Sequence, residues 1–193
     1  SANLPELTIG PDSTTQARDH FSTVTYSGSS GAQTITTGLQ PDWIWIKVTS
    51  LTGYHNLTDT SRGITKELYA NTTDDEENIG RIESSSTTGF TFPSTEYGYT
   101  NENGQTFVSW NWHANGGTTT TNDASATSVG TIDSVYQANT TAGFSIVTYT
   151  GTGSNGTIAH GLGAVARMVI IKNRDQTDNW AVGHTDIGFS NHL

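Results

Sequence analysis

Asp74, Asp75, Glu76 and Glu77 form the one run of four consecutive carboxylates in the chain. Clustered oxygen donors are what Ca²⁺ takes. The run lacks EF-hand ligand spacing and the turn glycine, so a solvated acidic loop is expected there. The six histidines are His20, His55, His113, His160, His184 and His192. They contain no HExxH pattern and no pair set on one face, so isolated surface or strand-end positions are expected. His55, Asp59 and Ser61 carry the residue types of a nucleophilic triad. No GxSxG turn accompanies them, and triads are not built from immediate neighbours. No catalytic residue, cofactor site or metal ligand is therefore assigned. Trp43 with Trp45, and Trp110 with Trp112, stand in two Trp-x-Trp segments. Such rings can stack on sugars. Here they sit among the apolar neighbours of a core, and each indole buries on the order of 150–250 Å². All four are expected in the structural core, with Trp45→Ala costing about 3–5 kcal/mol. Glycan contact, if any, falls to Tyr97 and Tyr99 in the loop YGYTNENG.

Strands are the elements that must position these residues. The segment Phe21 to Lys47, FSTVTYSGSSGAQTITTGLQPDWIWIK, occurs again as Phe144 to Lys172, FSIVTYTGTGSNGTIAHGLGAVARMVIIK. Ten identities fall in nineteen ungapped positions, from Phe21/Phe144 to Leu39/Leu162. Two further residues enter the second copy, after which Ile46, Lys47, Thr60 and Gly63 match Ile171, Lys172, Thr185 and Gly188. A fixed-offset repeat of this density marks a duplicated module. Within it, Phe21–Tyr26 is rich in β-branched and aromatic residues and reads as a strand. Ser27–Gly31 reads as a turn and Thr34–Thr36 as a second strand, giving a hairpin-like edge. Trp43-Ile44-Trp45-Ile46 is apolar at every position. Side chains alternate faces along a strand, so this one is expected to be covered on both.

Composition agrees. Charged residues make up 13% of the 193-residue chain, and no stretch sustains a helical apolar period. A net charge of −10 argues against a nucleic-acid groove, which needs clustered Lys and Arg. With no cysteine, disulfides, thiolate zinc sites and thiol nucleophiles are excluded. No membrane-length apolar run is present, so no membrane insertion is expected.

In chain order, residues 1–20 are a polar, Pro-punctuated leader with Leu4, Leu7 and Ile9, expected to be an attachment arm. Residues 21–114 are the first module. Residues 115–143 open with NGGTTTTNDASAT and are expected to be a flexible polar linker, with one short strand within Val129–Asn139. Residues 144–193 are the start of a second module, shorter than the first, so the sequence is expected to be part of a longer product.

The repeat, together with SRGITKELYANTTDDEEN, SSTTGFTF and FVSWNWHANGG, resembles a repeated domain of structural proteins of marine tailed bacteriophages, described as tail-fibre-like. The leader, ANLPELTIGPDS followed by DHF, is similar to theirs. The resemblance implies an all-β fold, an antiparallel sandwich of concanavalin or jelly-roll layout, with no catalytic motif. It implies a non-enzymatic structural role on the virion, in a tail fibre or another appendage, with host-surface glycan contact. The alternatives are a capsid decoration or head-fibre protein and a carbohydrate-binding accessory module of a secreted protein. The leader would join other virion proteins, and the strand edges would be covered in a symmetric homo-oligomer, a trimer for a fibre. Ala164-Val165-Ala166-Arg167 replaces the Pro41-Asp42 turn in the second copy.

Overall fold

The computed structural model describes residues 16–95 and 98–188. Its strands, in chain order, are β1 (Phe21–Ser27), β2 (Gln33–Thr36), β3 (Trp43–Val48), β4 (His55–Asp59), β5 (Lys66–Tyr69), β6 (Glu77–Asn78), β7 (Ser84–Ser86), β8 (Gly89–Phe92), β9 (Thr106–Trp112), β10 (Thr120–Asn122), β11 (Ser134–Asn139), β12 (Phe144–Tyr149), β13 (Met168–Ile171) and β14 (Ala181–His184). One short helix, α1 (Ala124–Thr127), is capped by the Asp123 carboxylate. Tyr97 and the leader up to residue 15 lie outside the described residues.

The first copy is an antiparallel β-sandwich. A six-stranded sheet runs β1-β9-β3-β4-β5-β6, and a three-stranded sheet runs β2-β8-β7. The long-range strand β9 is hydrogen-bonded to both β1 and β3, with Phe21, Trp112 and Trp43 in one row and Thr23, Trp110 and Trp45 in the next. Alternation sends Ile44, Ile46, Val48 and Phe107 inward. There they meet Ile35, Ile82, Phe90 and Phe92 in a continuous buried cluster. Gly89 is dictated by that packing: a Cβ on it would lie 2.0 Å from the Ile35 carbonyl oxygen of β2.

Three expectations are corrected. First, β1 and β2 do not form a hairpin, since they belong to different sheets. The Ser/Gly connection crosses between layers because Asn101 holds it: Ser29 N–H donates to Asn101 Oδ1 (3.0 Å), and Asn101 Nδ2 donates to the Gly31 carbonyl (2.8 Å).

Second, Trp43, Trp45, Trp110 and Trp112 are not in the buried core. They are half-buried on the opposite, outer face of the six-stranded sheet, while Ile44 and Ile46 are 0% and 1% exposed. With period 2, the apolar run had to put one residue type on each face, and the smaller aliphatics took the sandwich interior.

Third, the NGGTTTTNDASAT stretch, residues 115–127, is not a flexible linker: it contains β10 and α1. The short strand expected within Val129–Asn139 is present as β11, which pairs with β12 along six residues from Asn139↔Phe144 to Ser134↔Tyr149. The polar run is ordered because Asn122, Ser134 and Gln137 are buried and hydrogen-bonded.

The second copy repeats the first in its hydrogen bonds. β13 pairs with β14 in the register that β3 keeps with β4, Met168↔His184 matching Trp43↔Asp59. Thr60 N–H donates to the Asp42 carbonyl and Thr185 N–H to the Arg167 carbonyl, both at 2.9 Å. Lys47 Nζ donates to the Val48 and Leu51 carbonyls, and Lys172 Nζ to those of Asn173 and Gln176.

Candidate functional site

The outer face of the six-stranded sheet is the largest aromatic assembly in the described structure. Trp43 packs on Trp112 (ring centroids 4.6 Å apart) and Trp45 on Trp110 (5.6 Å), with Phe21 4.7 Å from Trp112. Trp45 Nε1 donates to His55 Nδ1 at 3.2 Å. Burial and the nearby Lys47 ammonium lower the His55 pKa, keeping the ring a neutral acceptor. Phe144, the first residue of β12, stacks against Trp43 (5.7 Å) and Trp112 (6.2 Å), so the second copy covers one end of the face. The rings tilt 47° and 63° within their pairs, so they pack on one another at an angle and form no flat stacked platform. Because the ring is half-buried, Trp45→Ala is expected to cost about 1–2 kcal/mol in urea unfolding, well below the value for a core indole.

Tyr99 is exposed and packs edge-on against Tyr54 (5.4 Å), which is also exposed and lies 4.7 Å from Tyr69. Tyr99 holds a positive φ of 73°, and its carbonyl accepts from Asn56 Nδ2 at 3.3 Å. Sequence reading singled out Tyr99 and missed Tyr54. The signal available was the turn SLTGY, whose aromatic residue stands just before β4.

Polar chemistry is concentrated in two clusters. Asp42 is fully buried and its carboxylate faces no Lys or Arg. It accepts from the main-chain N–H groups of Ala114 (2.7 Å), Gly116 (2.9 Å) and Gly117 (2.7 Å) and from Thr60 Oγ1 (2.9 Å), and His113 Nδ1, 2.9 Å from the Gln40 carbonyl, lies 3.3 Å from its Oδ2. Gly116 and Gly117 have φ of 61° and 79°, the left-handed conformation that turns successive N–H groups toward one anion. The NGG segment is thus a clasp on Asp42. Gln137 extends it, accepting from Gly117 N–H (3.0 Å) and donating to Thr60 Oγ1 and Ser61 Oγ (2.8 and 2.6 Å). Ser61 therefore serves Gln137. Asp59 is engaged by Arg62, and His55 by Trp45, so the three residues make no triad.

The acidic run is not a solvated loop throughout. Glu76 accepts from Arg62 (2.9 Å) and bidentately from Arg174 (2.8 Å each), joining the first copy to the loop between β13 and β14. The same loop docks through Trp180 Nε1, which donates to the Tyr69 and Thr72 carbonyls at 3.1 Å. Glu77 accepts from the Tyr69 hydroxyl (2.7 Å), and buried Glu67 pairs with Arg81 (2.8 Å). These ion pairs neutralise the charges locally, and among the described residues no group of three or more His, Asp or Glu is placed to hold a metal ion.

Two carboxyls give opposed pH dependences. Burial would raise the Glu76 pKa, but hydrogen bonds and charge from Arg174 and Arg62 outweigh it and hold it at about 2 against an ordinary 4.5. A depressed carboxyl stabilises above its unfolded value and loses that contribution as pH falls through the folded one. The advantage of wild type over Glu76→Gln should therefore be complete above pH 4.5 and fade between 4.5 and 2. For Glu67 burial wins over Arg81 and pushes the pKa up to about 7. The folded state then keeps a proton that the unfolded chain has released, so this contribution is complete below 4.5 and is lost as pH rises through 7. Glu67→Gln should lose less stability than wild type between those values. Urea unfolding across the pH series reads both, and parallel curves for all three proteins would refute the assignments.

The chain belongs to the family described as a domain of unknown function (DUF7483), whose model matches residues 16–193. No curated protein matches it. No solved structure matches it either.

Proposed function

We propose that this member of the DUF7483 family is a non-enzymatic structural protein on the surface of a tailed-phage virion, in a tail fibre or another appendage. The observation that carries the reading is the duplicated β module, whose first copy, a sandwich, is tied to the strands that follow it by Glu76–Arg174, by Gln137 of β11 and by Phe144 of β12. Such a build suits presentation and load-bearing. Its buried charges sit in neutralising ion pairs or main-chain clasps, which suits a scaffold. The leader and module motifs, similar to those of marine tailed-phage structural proteins, support the virion as the place of action.

In this reading residues 1–20 join other virion proteins, and the chain assembles as a homo-oligomer, a trimer in a fibre. Host-surface glycans are contacted by exposed aromatics, Tyr99 with Tyr54 in the described structure, and Tyr97, two residues before Tyr99 in sequence. Capsid decoration or a head fibre is the second placement. Gold-labelled antibody against the chain, imaged on intact particles by electron microscopy, tests it. Label on the tail appendage is expected, label on the head favours decoration, and unlabelled particles reject both. The half-buried tryptophan face favours one further reading, a carbohydrate-binding accessory module. That reading requires saturable sugar binding by the isolated chain, lost in Trp45→Ala.

A further inference from the structure

We infer that Thr60 and Gln137 form an intramolecular ester: the Thr60 hydroxyl adds to the side-chain carbonyl of Gln137 and displaces ammonia, joining the turn after β4 covalently to β11. The two residues are 77 positions apart in sequence and meet in a closed site, where Gln137 and Asp42 are both 0% exposed. The amide of Gln137 is held in one orientation. Its nitrogen donates to Thr60 Oγ1 (2.8 Å) and to Ser61 Oγ (2.6 Å), which uses both of its hydrogens. Gly117 N–H, a donor only, meets the other end of the amide at 3.0 Å and so fixes it as Oε1. Thr60 Oγ1 therefore lies against the amide nitrogen, one bond from the carbon it must attack.

The groups around this pair are those that an acyl transfer needs. The Thr60 hydroxyl donates to Asp42 Oδ1 (2.9 Å), so its proton already points at a base and a lone pair is left for Gln137. Asp42 is held by the main-chain N–H groups of Ala114, Gly116 and Gly117, with His113 Nδ1 3.3 Å from Oδ2. Gly117 N–H is shared between Asp42 Oδ1 (2.7 Å) and Gln137 Oε1 (3.0 Å). When Oδ1 takes the Thr60 proton, its hold on that N–H weakens. The N–H is then released to Oε1, the oxygen on which negative charge develops. Ser61 Oγ is as near to the amide, but among the described residues no carboxylate accepts its proton, so Thr60 is the nucleophile.

The step balances without a co-reactant. The bond between Thr60 Oγ1 and Gln137 Cδ forms, and the Gln137 Cδ–Nε2 bond breaks. The proton passed from Thr60 to Asp42 goes on to the departing nitrogen, so NH₃ leaves and Asp42 ends as the carboxylate it began as. Burial keeps water from competing with Thr60 and from hydrolysing the ester. The chain reacts once, on itself, and the product closes the 77-residue loop between the first sandwich and β11.

The intact mass of the purified 193-residue chain under denaturing conditions reads the link directly. A chain lighter by one ammonia is expected. Its protease digest should contain a branched peptide that joins the Thr60 and Gln137 segments and that mild alkali opens. Asn103-Gly104, Asn115-Gly116 and Asn155-Gly156 can also shed ammonia, as succinimides. Thr60→Val and Gln137→Glu keep those three pairs, yet both should have their full sequence mass and no branched peptide. Thr60→Ser and Ser61→Ala should keep the branch. The branched peptide is read on the wild-type chain, so the test does not depend on any variant folding. A wild-type chain of full sequence mass, an ammonia loss that persists in Thr60→Val, or a branch that maps to Ser61 would each overturn the inference.

Discussion

Phe90→Ala is expected to destabilise the protein by about 3–5 kcal/mol and to lower the thermal midpoint by on the order of 10 °C. Phe90 is 0% exposed, sits in β8 opposite Ile35 of β2, and packs edge-on against Phe92 at 5.4 Å. Removing the ring takes away buried apolar area and leaves a void in the close-packed cluster between the two sheets, lined by Ile35, Ile44, Ile46 and Phe92. Phe90→Leu, which keeps most of the volume, should lose less than half as much. Equal losses for the two variants, or a loss near that of Trp45→Ala, would place the true core on the tryptophan face.

Asp42→Ala is expected to cost roughly 3 kcal/mol. Three main-chain N–H groups and the Thr60 hydroxyl lose their acceptor together, in a site from which water is excluded. Asp42→Asn should be nearly as damaging, since its amide sets N–H against N–H. The loss should be local as well as global. Amides of Ala114, Gly116 and Gly117 should exchange fastest, and the Gln137 contact with Gly117 should loosen, while the β13–β14 pairing is untouched. A cost under about 1 kcal/mol, within the range of a surface substitution, would mean that the clasp forms no part of what holds residues 114–117.

The strands were legible in the sequence because β-branched and aromatic residues with period 2 mark them, and the duplication was legible because Phe21-to-Leu39 repeats at a constant offset. The choice of face was not. Trp43-Ile44-Trp45-Ile46 is apolar on both sides, so nothing in the pattern says which row enters the sandwich; that is decided by the distant strands β2 and β8 supplying Ile35, Phe90 and Phe92. The hairpin expected for β1 and β2 failed for a similar reason, since Asn101, far along the chain, pins the turn across two layers.

The clasp was hidden because a low-complexity NGG reads as flexible until an anion is placed beside its N–H groups. Pro41-Asp42 and its replacement by Ala166-Arg167 were visible as a difference between copies, but the role of the Asp42 carboxylate required the fold. Glu76 likewise reads as one of four loop acids until Arg174 arrives from the second copy.

The proposed role on a tailed-phage particle is tested most directly by quantitative peptide mass spectrometry of gradient-purified particles of a phage whose genome encodes the chain. The expected result is its peptides at a fixed ratio to the other particle proteins, in the copy number of a symmetric oligomer. Peptides confined to the soluble lysate and absent from the particles would contradict it.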